Sequence, residues 1–120
     1  MKSRMVEPLN IEESAEGGGI LLTVSGRITI DSSPALRDRL LAILQQQSLS
    51  TLTIDLTAAP YLDTSGLATL VEALKIARAN RTALKIRLHE RPRYLMEVTG
   101  LLPFFEAAGQ AKTDTGSKDN

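Results

Sequence analysis

Four consecutive residues, Asp63-Thr64-Ser65-Gly66, concentrate the chemistry of this 120-residue chain. A serine hydroxyl with a carboxylate two residues before it can act as a nucleophile or receive a phosphoryl group. The flanking patterns decide where it stands. Upstream, Thr51-Leu52-Thr53-Ile54-Asp55-Leu56 alternates polar and apolar residues, the period of a half-buried strand. Downstream, Leu67, Leu70, Val71, Leu74 and Ala77 recur at helical spacing. The four residues therefore belong between the C-terminal end of a strand and the N-terminal end of a helix, where open α/β sheets gather ligands and partners. Ser65 falls at the expected N-cap, its hydroxyl beside unpaired backbone N–H groups. A phosphate on that hydroxyl would be favoured by the helix dipole and those donors. From spacing alone, the same residues also read as an ordinary capped helix start, with Asp63 and Thr64 or Ser65 as cap and Gly66 allowing a tight turn. The capping box is incomplete, because no Glu or Gln stands three residues after Thr64 or Ser65.

Nucleophilic catalysis finds little support. The single histidine, His89, ends a predicted strand, and a lone histidine there more often caps or faces solvent than serves as a base. A Ser–His–Asp arrangement needs convergence of three groups, and Ser65 lacks the Gly-x-Ser-x-Gly elbow. Asp55 and Asp63 could pair for metal or glycoside chemistry, but Asp55 lies on the polar face of its strand and reads as a solvated carboxylate. Gly17-Gly18-Gly19 precedes a strand rather than a helix, so it reads as a hairpin tip and not a phosphate loop. No catalytic residue, metal site or cofactor is expected.

Composition narrows the partners. Lys plus Arg and Asp plus Glu both number 14, so bulk charge does not drive nucleic-acid binding. Aromatic residues are 3%, too few for a stacking platform. Lys85, Arg87, Arg91 and Arg93 cluster near one strand end and read as a solvated face able to join a protein interface. The chain has no cysteine, which removes disulfides and thiol chemistry. Without an apolar run of about 18 residues, no membrane insertion is expected. With no secretory h-region near Met1, the expected location is the cytoplasm.

The elements that must hold the motif follow in order. One domain is expected over residues 9–108, with disordered tails at 1–8 and 109–120. A domain of this size buries about two-thirds of its unfolded surface. A first strand begins near Leu9-Asn10-Ile11, and Ile20 to Val24 forms a second. Ser25-Gly26 reads as a tight turn before a third, Arg27 to Ile30. Ser33 suits an N-cap and Pro34 a first helical position, for a helix from Pro34 to Gln46. After the central strand, Thr51 to Leu56, the main helix spans Ser65 to Asn80. Ala83 to Leu88 alternates cleanly as the next strand. A short helix follows from about Pro92, with Tyr94, Leu95 and Val98 as its apolar stripe and Gly100 as a left-handed cap. Pro103-Phe104-Phe105-Glu106 reads as a short edge strand. The resulting order, β-β-β-α-β-α-β-α-β, is an α/β fold with a mixed sheet, one face wet and the other covered by helices.

Taken together, the chain resembles the STAS family, and within it the bacterial anti-sigma factor antagonists. The resemblance rests on Leu22-Thr23-Val24-Ser25-Gly26-Arg27-Ile28 with Asp31, on Thr53-Ile54-Asp55-Leu56, on Tyr61-Leu62-Asp63-Thr64-Ser65-Gly66-Leu67 and on Thr99-Gly100-Leu101. It implies the STAS fold and a non-enzymatic role. It also implies a partner, an anti-sigma factor that is itself a serine kinase and phosphorylates the serine before glycine, here Ser65. Thr64 is the alternative acceptor. The unmodified protein would bind the kinase and release a sigma factor; phosphorylation would break the complex and a PPM-type phosphatase would reset it. Asp63, Thr64, Ser65, Gly66 and Leu67 would lie on the partner-binding surface. The family also includes accessory subunits of ABC-type lipid transporters, which carry similar motif residues and remain the alternative.

Overall fold

A computed structural model describes residues 9–46 and 48–109. Two antiparallel strands open the fold, β1 (Asn10–Glu16) and β2 (Gly19–Ile28). They are joined at Gly17 and Gly18, whose φ of 56° and 84° lie in the left-handed region that glycine enters freely. Next come α1 (Ser33–Leu44), β3 (Thr51–Leu62), α2 (Thr64–Ala79) and β4 (Ala83–Leu88). The chain then finishes with two short helices, α3 (Glu90–Val98) and α4 (Leu102–Gly109). The sheet order is β1-β2-β3-β4, with β2, β3 and β4 parallel. Two successive right-handed crossovers that advance in the same direction set α1 and α2 on one face.

Strand alternation decides the core. Leu22 pairs with Ile54, and Ile54 with Ile86, so these side chains share the helix-covered face. Leu22, Val24, Leu52, Ile54, Leu56 and Leu84 are buried there beneath Leu36, Leu40 and Ile43 of α1 and Leu70, Ala73 and Ala77 of α2. Each fully buried aliphatic side chain contributes about 1.5–3 kcal/mol of transfer free energy. On the opposite face, Thr23, Asp55 and Arg87 are in register, and Arg87 reaches Asp55 at 3.8 Å and Glu16 at 3.5 Å. That face is polar, as the alternation predicts. Arg37 of α1 also makes a bidentate pair with Glu72 of α2, at 2.7 and 2.9 Å, across the two covering helices.

Several sequence expectations change. Ser25-Gly26 is not a turn: β2 runs through it unbroken and pairs with β3 in parallel. Between Thr23 and Arg27 the register slips twice, so that Ser25 faces Ala58 and Arg27 faces Tyr61. Each slip gives β3 one residue more than β2, and Gly26, at φ 110°, absorbs the distortion. The glycine therefore signals a bulge. β3 correspondingly runs on to Leu62 and carries the chain to the threshold of α2.

The C-terminal edge strand is likewise absent. Residues 102–109 are helical, with Pro103 in the first turn, where its missing N–H costs nothing. Phe105 and Ala108, three residues apart, are the buried side of α4, which packs on β4. In α3 the buried residues are Pro92 and Met96, while Tyr94 and Val98 of the expected stripe are 66% and 60% exposed. Gly100 does take the left-handed position, at φ 78°. Its N–H donates to Glu97 and the N–H of Leu101 donates to Met96, which closes the helix end. The observed order is β-β-α-β-α-β-α-α. The expected tails at 1–8 and 109–120 fall outside the described residues, except for Gly109, which closes α4.

Candidate functional site

The site forms where two crossover connections leave the C-terminal ends of β2 and β3. Asp63 follows β3 and adopts extended backbone at φ −93° and ψ −172°, one residue before α2. From there its carboxylate turns back over the helix. Oδ1 accepts from the backbone N–H of Ser65 at 2.9 Å and of Gly66 at 3.2 Å, satisfying two of the N–H groups a helix start leaves free. The cap is thus Asp63 and not Ser65, which lies two residues further on as the second helical residue. The shift has a chemical consequence. Ser65 does not spend its hydroxyl on the backbone; it donates to Asp63 Oδ1 at 2.6 Å.

The other carboxylate oxygen reaches across to the first crossover. Oδ2 accepts from the N–H of Ile30 at 3.1 Å, while the N–H of Asp63 donates to the carbonyl of Ile28 at 3.0 Å. Asp63 therefore ties the β2–α1 connection to the start of α2. Ser33, the first residue of α1, completes the arrangement by donating its hydroxyl to Ser65 Oγ at 3.1 Å. Three side chains form one chain of hydrogen bonds, Ser33 to Ser65 to Asp63. Sequence reading placed Ser33 as the N-cap of α1. In the structure Ser32 takes that position, its hydroxyl donating to Arg27 O and accepting from Thr29 N–H, which leaves Ser33 to face Ser65. Nothing in the spacing of two serines 32 positions apart announces this pairing.

Electrostatics follow the geometry. The Ser65 hydroxyl, aided by the N–H groups of Gly66, Ser65 and Ile30, holds the Asp63 carboxyl below the usual carboxylate range, against a smaller opposing effect of lost solvent. Asp63 is thus an anion at neutral pH with its charge spread over four donors.

Gly66 serves packing rather than turning. It is buried and helical, and a Cβ there would stand 2.6 Å from Ile28 Cγ2 and 2.6 Å from Leu62 Cδ1. Its bare Cα lets α2 settle on the ends of β2 and β3, which sets the height of Ser65 above the sheet. Thr64 is exposed, Ser65 half-buried and Leu67 half-buried against the core. Thr69, one turn further on, donates to the carbonyl of Ser65 at 3.0 Å. Around the site, Ile30 is 71% exposed, an unusual state for a large aliphatic residue. Tyr61 is partly exposed as well, with Arg27 stacked 4.1 Å from its ring. Sequence reading missed both as site residues: Ile30 reads as the end of a strand, whereas β2 closes at Ile28 and leaves Ile30 in the connection to α1.

The remaining candidates lie apart in role. His89 is the N-cap of α3, its Nδ1 accepting from Arg91 N–H at 3.2 Å. Asp55 is occupied by Thr57, whose hydroxyl and N–H hold its carboxyl low, and it shares no contact with Asp63. No group of three or more possible metal ligands occurs among the described residues. Nor, among them, is any helix long and apolar enough to cross a membrane.

A mixed four-stranded sheet, crossover helices on one face and a serine hydroxyl at the start of α2 define a known class of domain. Residues 11–104 match the family model described as "Mlab, STAS domain", and the chain belongs to the STAS family. Among curated proteins it is similar to the anti-sigma-B factor antagonist of Bacillus subtilis, 27% identical over 105 residues that cover 87% of this chain and 94% of that one. Among solved structures it is similar to an anti-sigma factor antagonist from Mycobacterium paratuberculosis, with a TM-score of 0.70 and 25% identity over 84% of this chain and 87% of that one. The fold also matches the antagonist SpoIIAA in its unphosphorylated form, with a TM-score of 0.66 at 13% identity over 79% of this chain and 84% of that one.

Proposed function

We propose that this protein is an anti-sigma factor antagonist: it binds an anti-sigma factor that is also a serine kinase, and so frees a sigma factor in the cytoplasm. Phosphorylation at Ser65 ends the binding, and a PPM-type phosphatase restores it. The observation that carries this reading is the Ser65 hydroxyl, half-buried at the rim of α2 and 2.6 Å from an ionised Asp63. The antagonists among its relatives support the same role. The kinase would supply ATP, magnesium and the phosphoryl transfer machinery, so this chain needs no catalytic group of its own.

The switch needs only local chemistry. Serine brings no charge to an interface, whereas phosphoserine brings close to two negative charges at neutral pH. A phosphate on Oγ removes the proton now given to Asp63 and sets a dianion against that carboxylate. The helix N-terminus attracts anions, but Asp63 already occupies the N–H groups of Ser65 and Gly66. In a closed interface the added charge is repelled or desolvated. A penalty of about 2.7 kcal/mol lowers affinity about a hundredfold. Ile30, Thr64 and Leu67 provide the uncharged contact around it, and Thr64 is the second acceptor to consider.

The test is binding of a purified histidine-kinase-like ATPase from the same genome to wild type, Ser65→Ala and Ser65→Asp. Ser65→Ala binds as wild type does and stays bound when ATP is added; Ser65→Asp binds about a hundredfold more weakly. Equal binding of Ser65→Asp and wild type sinks the switch. Binding to an ABC-type permease assembly in place of the kinase selects the alternative, a transporter accessory subunit.

A further inference from the structure

Thr64 and Ser65 are adjacent hydroxyls at the start of α2, and either can carry a phosphate. Their surroundings differ. Thr64 is exposed, and it gives none of the four hydrogen bonds that Asp63 accepts. The Ser65 hydroxyl is held from two sides. It donates to Asp63 Oδ1 at 2.6 Å and accepts from the Ser33 hydroxyl at 3.1 Å. A hydroxyl offers one proton and two lone pairs. The two bonds use the proton and one lone pair, which leaves a single lone pair of Oγ for an incoming phosphorus atom.

Both tethers are themselves fixed. Ser33 is 6% exposed, its N–H donates to the carbonyl of Thr29 at 2.7 Å, and Pro34 rigidifies the first turn of α1 beside it. Asp63 is held by the N–H groups of Ser65, Gly66 and Ile30. Buried this deeply, Ser33 offers a partner almost no surface, so its effect on phosphoryl transfer passes through Ser65.

We propose that Ser33 and Asp63 are positioning residues that select Ser65 over Thr64 as the phosphoacceptor. The proposal rests on the reading of Ser65 as a kinase substrate and adds to it the physical basis of site choice. In the transfer, the γ-phosphorus of ATP parts from the oxygen that bridges to ADP and bonds to Oγ. ADP keeps the electron pair of the broken bond, and the hydroxyl proton passes to a base of the kinase. Ser33 and Asp63 act before that step. They restrict Oγ to one staggered rotamer and so fix the direction of its free lone pair. No such pair of side chains holds the Thr64 hydroxyl among the described residues, and ordering it falls to the kinase.

Two measurements on the full chain test this. The first needs no kinase: Hα–Hβ coupling constants report the χ1 rotamer of Ser65 in wild type, Ser33→Ala and Asp63→Ala, each checked for its fold by circular dichroism. One rotamer in wild type and averaged couplings in the variants are expected. The second adds the candidate kinase and ATP and follows the phosphate on each acceptor by peptide mapping in the preformed complex. Ser33→Ala should slow transfer to Ser65 about fivefold, the effect of one lost hydrogen bond, while the rate at Thr64 and the affinity for the kinase stay within about twofold. A misfolded or poorly docked variant would instead slow both acceptors alike. The proposal is overturned by averaged couplings in wild type, by couplings unchanged in both variants, by an unchanged rate at Ser65, or by equal slowing at the two acceptors. A wild-type chain that takes no phosphate contradicts the kinase reading alone, and the coupling constants then decide the positioning role.

Discussion

Replacing Asp63 by alanine should loosen the junction of two crossovers rather than a single helix end. The carboxylate accepts four hydrogen bonds, from the N–H groups of Ser65, Gly66 and Ile30 and from the Ser65 hydroxyl. Loss of a capping side chain costs about 1 kcal/mol. The bonds to Ile30 and to the hydroxyl add roughly 0.5–1 kcal/mol each. The site is partly solvated, which favours the lower end, so Asp63→Ala should cost about 2 kcal/mol. At a urea dependence of about 2 kcal/mol per molar, the unfolding midpoint falls by about 1 M with an unchanged slope. A pH series identifies the cause. Because its partners hold Asp63 below the ordinary carboxylate range, the stability it adds is complete above the unfolded value of about 4 and drains away as pH falls through the lower folded value. The gap between wild type and Asp63→Ala should therefore be full at pH 7 and close below about pH 4. Urea unfolding followed by circular dichroism at both pH values measures it. A variant within about 0.5 kcal/mol of wild type at pH 7, or a gap that persists in acid, would refute this account of Asp63.

Other perturbations separate packing from recognition. Gly66→Ala gains about 1 kcal/mol of helix propensity but drives a methyl against Ile28 and Leu62 at 2.6 Å, so it should lose about 1–2 kcal/mol net; a raised urea midpoint would contradict this. Ile30→Ala, at a residue 71% exposed, should leave stability within about 0.5 kcal/mol while weakening the kinase complex on the order of tenfold by calorimetry; unchanged affinity would remove Ile30 from the interface. Ser33→Ala removes the donor to Ser65 Oγ, leaving that hydroxyl with Asp63 alone, and should change the rate of Ser65 phosphorylation more than it changes the melting temperature; the reverse order would make Ser33 purely structural.

Much of this architecture can be read in the sequence because its signals are local. The alternation of Thr51 to Leu56 and of Ala83 to Leu88, the helical spacing from Leu67 to Ala77 and the left-handed Gly100 each depend on neighbours a few residues away. The errors arise where distant partners decide. Ser25-Gly26 has turn composition, but it lies within β2 opposite a bulged stretch of β3, and the extra residues of β3 are invisible without the pairing. Pro103-Phe104-Phe105 has strand composition, yet the three-residue spacing of Phe105 and Ala108 fits a helix on β4 better than an edge. At the site, the motif residues were legible as a group and their division of labour was not. Asp63 and Ser65 both suit an N-cap, and only the backbone turn at Asp63 assigns the cap to one and frees the hydroxyl of the other. Ser33 and Ile30 arrive through tertiary contact alone.

The switch at Ser65 is measured by mixing the protein with its candidate kinase and ATP, then combining peptide mapping with the affinity of the modified form. The expected result is one phosphate, on Ser65, and a complex weakened about a hundredfold. No phosphate on Ser65, or a Ser65-phosphorylated protein that binds the kinase as tightly as the unmodified one, would contradict it.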